Sequence, residues 1–163
     1  MDWITENIAI GNYFEAQDAQ VLRQFKSVLG LVPTLRDLDD SKKDAIAELR
    51  GLLEIDEAEF DETLQRLREE LKTKRIEVVE LIDGPGNDVA LFRRAVSVLA
   101  ELTKETPPVL VHCHAGRSRS PAVVAGYLMK SLRIDASQAL EIVVQKRETY
   151  IAPALICLLD SLE

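Results

Sequence analysis

Apolar and polar positions follow one another in short blocks along this chain. Ile8-Ala9-Ile10-Gly11 is an apolar run closed by glycine, which predicts a strand. Ala16, Ala19, Leu22 and Phe25, with Val21 beside them, fall at helical spacing and predict a helix over 15–25. Ser27 to Val32 is rich in β-formers and ends at Pro33, as a buried strand does. Ile76 to Leu81 predicts a further strand, followed by the dense loop signal Asp83-Gly84-Pro85-Gly86-Asn87-Asp88. Val89, Phe92, Val96 and Leu99 mark a helix to about Lys104, which Pro107-Pro108 stops. Val109 to His112 is a short buried strand. After Pro121 comes a strongly apolar helix, Ala122 to Leu132. Asp135 can cap another helix through about Arg147, and Pro153 begins a last one.

The stretch between these blocks differs in character. Asp39-Asp40-Ser41 is a cluster of N-cap formers, and Ile46, Leu49, Leu52 and Leu53 form an apolar stripe. Phe60, Leu64, Leu67 and Leu71 form a second stripe, so two amphipathic helices joined near Ile55-Asp56 are expected. Strands alternating with helices give an α/β class: a central sheet of about four to five strands flanked by helices. With 163 residues, a single domain over 1–163 is expected.

Composition adds exclusions. The formal net charge is −8, which argues against a general binder of nucleic acid or anionic membrane. No apolar run approaches the length of a membrane span, and the start of the chain has no signal-peptide pattern. Two cysteines cannot build a disulfide framework. These features predict a cytoplasmic chain with no nucleic-acid or membrane partner.

The candidate chemistry lies in Val111-His112-Cys113-His114-Ala115-Gly116-Arg117-Ser118-Arg119-Ser120, between a buried strand and a buried helix. A loop so placed points backbone N–H groups at one spot, and the helix adds the positive end of its dipole. That cradle suits a tetrahedral dianion. Gly116 permits backbone conformations that a side chain resists. Arg119 can hold two anion oxygens in its planar fork. The same field favours the thiolate of Cys113, which is then set to attack phosphorus. Ser120 can hydrogen-bond the sulfur as it leaves. The leaving oxygen needs a proton, for which Asp83 is the candidate acid and Asp88 the competitor.

Cys-x5-Arg followed by Ser and preceded by His resembles the cysteine-based protein tyrosine phosphatase superfamily, and within it the dual-specificity phosphatases. Trp3 to Gly11, Asp83 with Phe92, Arg119-Ser120-Pro121 into Tyr127-Leu128-Met129, and Ile151-Ala152-Pro153 extend the resemblance over most of 1–36 and 76–163. It implies Cys113 as nucleophile, Arg119 as phosphate-binding arginine, Ser120 as leaving-group assistant and Asp83 as general acid. The backbone of His114, Ala115, Gly116, Arg117 and Ser118 would cradle the phosphate. The resemblance implies a metal-independent phosphomonoesterase without cofactor, acting on phosphotyrosine or phosphoserine and phosphothreonine of proteins. No tyrosine-rich substrate loop is found, which favours a shallow pocket. Ala115 and Ser118 stand where the lipid-phosphatase branch tends to place lysines. The segment near 37–75 reads as an acidic helical insertion.

Other readings stand beside these. A phosphate-recognising interaction module would use the same loop, and a non-protein phosphate ester could be the substrate. His112 is expected to orient the loop. Arg117 is either a substrate contact or a solvated cation. Cys157 is expected in the core, with a regulatory disulfide to Cys113 as the alternative. The acidic helices over 37–70 are either a solvated face or a partner-docking surface. Residues 37–70 hold 13 acidic and 5 basic side chains, so the whole net charge belongs to that segment. Residues 109–134 contain Arg117, Arg119, Lys130 and Arg133 and no acidic residue, so the proposed phosphate loop lies in a locally cationic stretch.

Overall fold

The computed structural model describes residues 1–33 and 56–162. The expected helix with its stripe at Ile46, Leu49, Leu52 and Leu53, and its Asp39-Asp40-Ser41 start, lies outside the described residues.

Among the described residues five strands form one mixed sheet: β1 (Asp2–Trp3), β2 (Ile8–Gly11), β3 (Ser27–Gly30), β4 (Arg75–Val78) and β5 (Val109–His112). Their spatial order is β1-β2-β5-β3-β4, with β1 antiparallel to β2 and the other pairs parallel. β5 is central, pairing Val109 to His112 with Ile8 to Gly11 on one side and Ser27 to Gly30 on the other. A strand with neighbours on both edges and layers on both faces needs apolar residues throughout, and Val109, Leu110 and Val111 supply them.

Side chains alternate between the two faces. Ile8, Ile10, Leu29, Val109 and Val111 enter the larger core, with Cys113 at its edge. Ala9, Val28 and Leu110 enter a smaller one. The larger core is covered by α3 (Val89–Glu105), α4 (Arg119–Leu132), α5 (Ala136–Lys146) and α6 (Pro153–Asp160). Phe92, Ala95, Val96, Leu99 and Leu102 give α3 the expected buried stripe. α4 is buried on nearly every side, from Ser120 to Met129. Gly126 lets it pack closely, since a Cβ there would lie 2.9 Å from both Leu162 and Val96 side chains. Asp135 closes a capping box with Gln138 at the start of α5.

The smaller core takes in part of the second amphipathic stripe. Phe60 and Leu67 of α2 (Glu57–Lys72) are buried, and Leu67 and Leu71 pack with Leu22 and Phe25. The single helix expected over 15–25 is instead split. A 3₁₀ turn (Glu15–Gln17) precedes a four-residue α1 (Ala19–Leu22), with Asp18 extended between them. The reason is local: the Asp18 carboxylate accepts the Gln20 N–H at 2.7 Å, replacing the helical bond with a cap. No described helix is long and apolar enough to cross a membrane.

Candidate active site

β5 ends at His112, and α4 begins at Arg119, so the loop 113–118 sits over the carboxyl end of the central strand. That edge is where parallel α/β sheets place ligands. Strand alternation turns Cys113 toward the face of Val111 and His112 toward that of Leu110. His112 is fully buried, with Nδ1 3.3 Å from the Cys113 carbonyl. Burial pushes its pKa down to about 4, so the ring is neutral near pH 7. It is therefore no counter-charge for the thiolate.

The loop leaves its donors facing inward. Ser118 caps α4 with its backbone alone, since its hydroxyl instead accepts the Ala152 N–H at 3.0 Å. The first N–H groups of α4 thus remain for an anion. The Gly116 N–H points at the Cys113 sulfur, 3.2 Å away. Burial would raise the Cys113 thiol, but it is outweighed by the Ser120 hydroxyl, the Ser120 and Gly116 N–H groups and the Arg119 charge. The net effect holds the thiol below its ordinary value. Ser120 Oγ is buried and has no hydrogen-bond partner, and its electrostatic effect falls on the Cys113 sulfur, whose thiolate it favours.

Arg119 is the second feature of the site. Its Nη1 donates to the Leu81 carbonyl at 3.2 Å and its Nη2 lies 3.8 Å from Asp83 Oδ2, while Nε is buried without a partner. Asp83 is half exposed, so solvent and a substrate can both reach it. Asn87 shapes its loop: the side-chain amide accepts from Ile82 N–H and donates to the Ile82 carbonyl, both at 2.8 Å, and also reaches the Gly84 carbonyl. Asp88 has another task. Its carboxylate accepts the Ala90 N–H at 2.7 Å as the N-cap of α3. The structure therefore brings Cys113, Arg119, Ser120 and Asp83 together and assigns Asp88 to a helix end.

The remaining loop residues face outward or hold the loop. His114 is exposed; its carbonyl accepts the Tyr13 N–H at 2.8 Å and its ring lies 5.7 Å from that of Tyr13. Arg117 is exposed and paired with Glu148 at 3.0 Å. Cys157 is a correction to the expected core position, because it is exposed. Leu155 and Leu159 form the buried face of α6, and position 157 between them turns away from it. Both cysteines are free thiols. Among the described residues no three metal-ligating side chains converge.

Residues 43–156 match the family model described as the dual specificity phosphatase catalytic domain. The chain belongs to that family. The dual specificity protein phosphatase 1B of Arabidopsis thaliana is 34% identical over 88 residues, covering 53% of this chain and 53% of that protein. The MAP kinase phosphatase with leucine-rich repeats protein 3 of Dictyostelium discoideum is 38% identical over 65 residues, 40% of this chain and 8% of that protein. This chain thus spans about half or less of the length of these curated relatives. The solved structure of human DUSP28 superposes with a TM-score of 0.70 at 17% identity, over 100% of this chain and 95% of that one. At that identity the likeness is one of fold. The dual specificity phosphatase match starts inside the acidic segment and leaves residues 1–42 outside it.

Two residues that shape this dual specificity phosphatase loop region escape sequence reasoning. For Asn87 a signal exists, since asparagine in a glycine-rich loop commonly bonds backbone. Arg147 carries no local signal. Gly116 is required twice over. Its φ is +68°, and a Cβ there would lie 2.5 Å from the Gly11 carbonyl oxygen and 2.6 Å from Arg147 Nη2. The left-handed conformation alone costs a side chain about 1–2 kcal/mol. Gly116→Ala is expected to lower the melting temperature and to weaken orthovanadate binding in titration. Wild-type values for both would show that the loop can yield.

Proposed function

We propose that this chain hydrolyses phosphomonoesters of proteins through a phosphocysteine intermediate, with residues 1–163 acting as one catalytic domain. The observation that carries the reading is the Cys113 sulfur, held below its ordinary thiol value between the Gly116 N–H, Ser120 and Arg119. In the first step the thiolate attacks phosphorus and the ester P–O bond breaks. The departing oxygen takes its electron pair together with the Asp83 proton. Arg119 and the N–H groups of 114–118 hold the equatorial oxygens. In the second step water attacks phosphorus and yields a proton to Asp83. The S–P bond breaks, and the returning thiolate is met by the Ser120 hydroxyl.

The rim supports a peptide substrate of either phosphorylated type. Phe14, Ile82 and Tyr150 are large, exposed and apolar. They stand on three segments that touch the site: Tyr13 N–H bonds the His114 carbonyl, Tyr150 N–H bonds the Arg117 carbonyl, and Ile82 lies between Leu81 and Asp83, both beside Arg119. Side chains flanking a phosphorylated residue can pack on such a rim. The test is phosphate release in EDTA from phosphotyrosine and phosphothreonine peptides, inositol phosphates and phosphorylated sugars. Release from the peptides is expected. Turnover confined to the other two classes would move the substrate away from proteins. The fold also fits the human tyrosine phosphatase-like serine/threonine/tyrosine-interacting protein, with a TM-score of 0.69 at 18% identity over 99% of this chain and 93% of that one. Tight phosphopeptide binding with no release from any class would therefore favour an interaction module.

A further inference from the structure

We propose that Arg147 is a positioning residue that aims the N–H groups of the phosphate loop from behind. The loop's role in turnover rests on the phosphatase reading above. Arg147 follows the last turn of α5 as its C-cap, and its side chain is 10% exposed. Nε donates to the Gly116 carbonyl at 2.6 Å and Nη2 reaches the Ala115 carbonyl at 3.4 Å. On the other side Nη1 donates to the Ile10 carbonyl at 3.1 Å and pairs with Asp2. One guanidinium thus ties two consecutive loop peptides to β1 and β2.

The planarity of the trans peptide gives this clamp its consequence. In each unit the C=O and the next N–H point in opposite directions. Holding the Ala115 carbonyl outward turns the Gly116 N–H inward, where it meets the Cys113 sulfur at 3.2 Å. Holding the Gly116 carbonyl outward turns the Arg117 N–H the same way. The cation behind the carbonyls also favours peptide dipoles whose positive ends face an anion in front. The clamp adds to the requirement for glycine at 116, because a Cβ there would also meet Nη2. A lysine carries the charge but lacks the rigid fork of five donors, so it cannot bridge three carbonyls and a carboxylate.

The test uses the full chain carrying Cys157→Ser, so that alkylation by iodoacetamide reads Cys113. Arg147→Lys is expected to raise the pH midpoint of Cys113 alkylation. It should also weaken inorganic phosphate binding by about tenfold, the worth of one hydrogen bond to a charged group. The kcat on an aryl phosphate should fall on the order of 10²-fold, as when one oxyanion donor is misaimed. A purely structural role would lower the melting temperature and leave the midpoint and phosphate affinity where they were. That result in a folded Arg147→Lys would overturn the proposal. Should that variant fail to fold, Asp2→Asn decides: a smaller shift in the same direction supports the clamp, and an unchanged midpoint rejects it. Lys146→Ala, at an exposed neighbour, is expected to behave as wild type. Alkylation and phosphate binding need no turnover, so an inactive wild type would sink the phosphatase reading and leave this one measurable.

Discussion

Cys113→Ser is expected to abolish turnover of p-nitrophenyl phosphate while the protein still binds inorganic phosphate. The two outcomes separate because different atoms produce them. Turnover needs a sulfur anion, and the field at the head of α4 stabilises one. That field comes from the Gly116 and Ser120 N–H groups, the Ser120 hydroxyl and Arg119. A serine hydroxyl at 113 starts so far above neutral pH that the same field leaves it protonated. The loss in kcat should be on the order of 10⁶-fold, as when other covalent hydrolases lose their nucleophile. Binding needs the loop N–H groups and Arg119, none of which the substitution touches. Removing the negative sulfur also removes its repulsion of a dianion, so phosphate affinity should hold or tighten. Exposed Cys157 provides the control, and Cys157→Ser should keep wild-type rate. A Cys113→Ser enzyme that turned over at wild-type rate would end the phosphocysteine mechanism.

The central strand and its loop are legible in the sequence because their signals are local. Val109 to Val111 is apolar at every position, as burial on both faces demands, and the loop's residue types sit within ten consecutive positions. Asp83 and Asp88 cannot be told apart on the presence of a carboxylate. The separation is nonetheless written in the chain: Asp88 stands just before Val89, at the head of a periodic apolar run, which is the N-cap position. Cys157 misleads for a similar reason. Its apolar neighbours suggest core, whereas the spacing of Leu155 and Leu159 already puts 157 on another side of the helix. The break at Asp18 shows a polar side chain defeating an apolar period in a segment too short to resist. Arg147 is out of reach for a physical reason. A basic residue at the C-terminal end of a helix is ordinary, since it complements the dipole. Its partners at Asp2, Ile10, Ala115 and Gly116 are joined to it only by the tertiary fold.

Asp83→Ala is expected to lower kcat by roughly 10²–10⁴-fold on esters with poor leaving groups, the range that general acid catalysis commands. The effect should shrink as the leaving group improves, because a stable phenolate departs without a proton. On p-nitrophenyl phosphate the loss should therefore be much smaller than on a phosphoserine peptide. The pH profile adds a sign. Activity of the wild type rises with pH as Cys113 becomes thiolate, within a window set below the ordinary thiol value. Asp83→Ala should keep this rising limb, which belongs to the sulfur. Asp88→Ala makes the opposite prediction. It removes an N-cap whose carboxylate holds the Ala90 N–H, so it should cost about 1 kcal/mol of stability and leave the leaving-group dependence intact. If the two variants exchanged these behaviours, the acid would be Asp88. The geometry argues against that exchange, since Asp83 Oδ2 is 3.8 Å from Arg119, the arginine proposed to hold the phosphate, and Asp88 is committed to the first turn of α3.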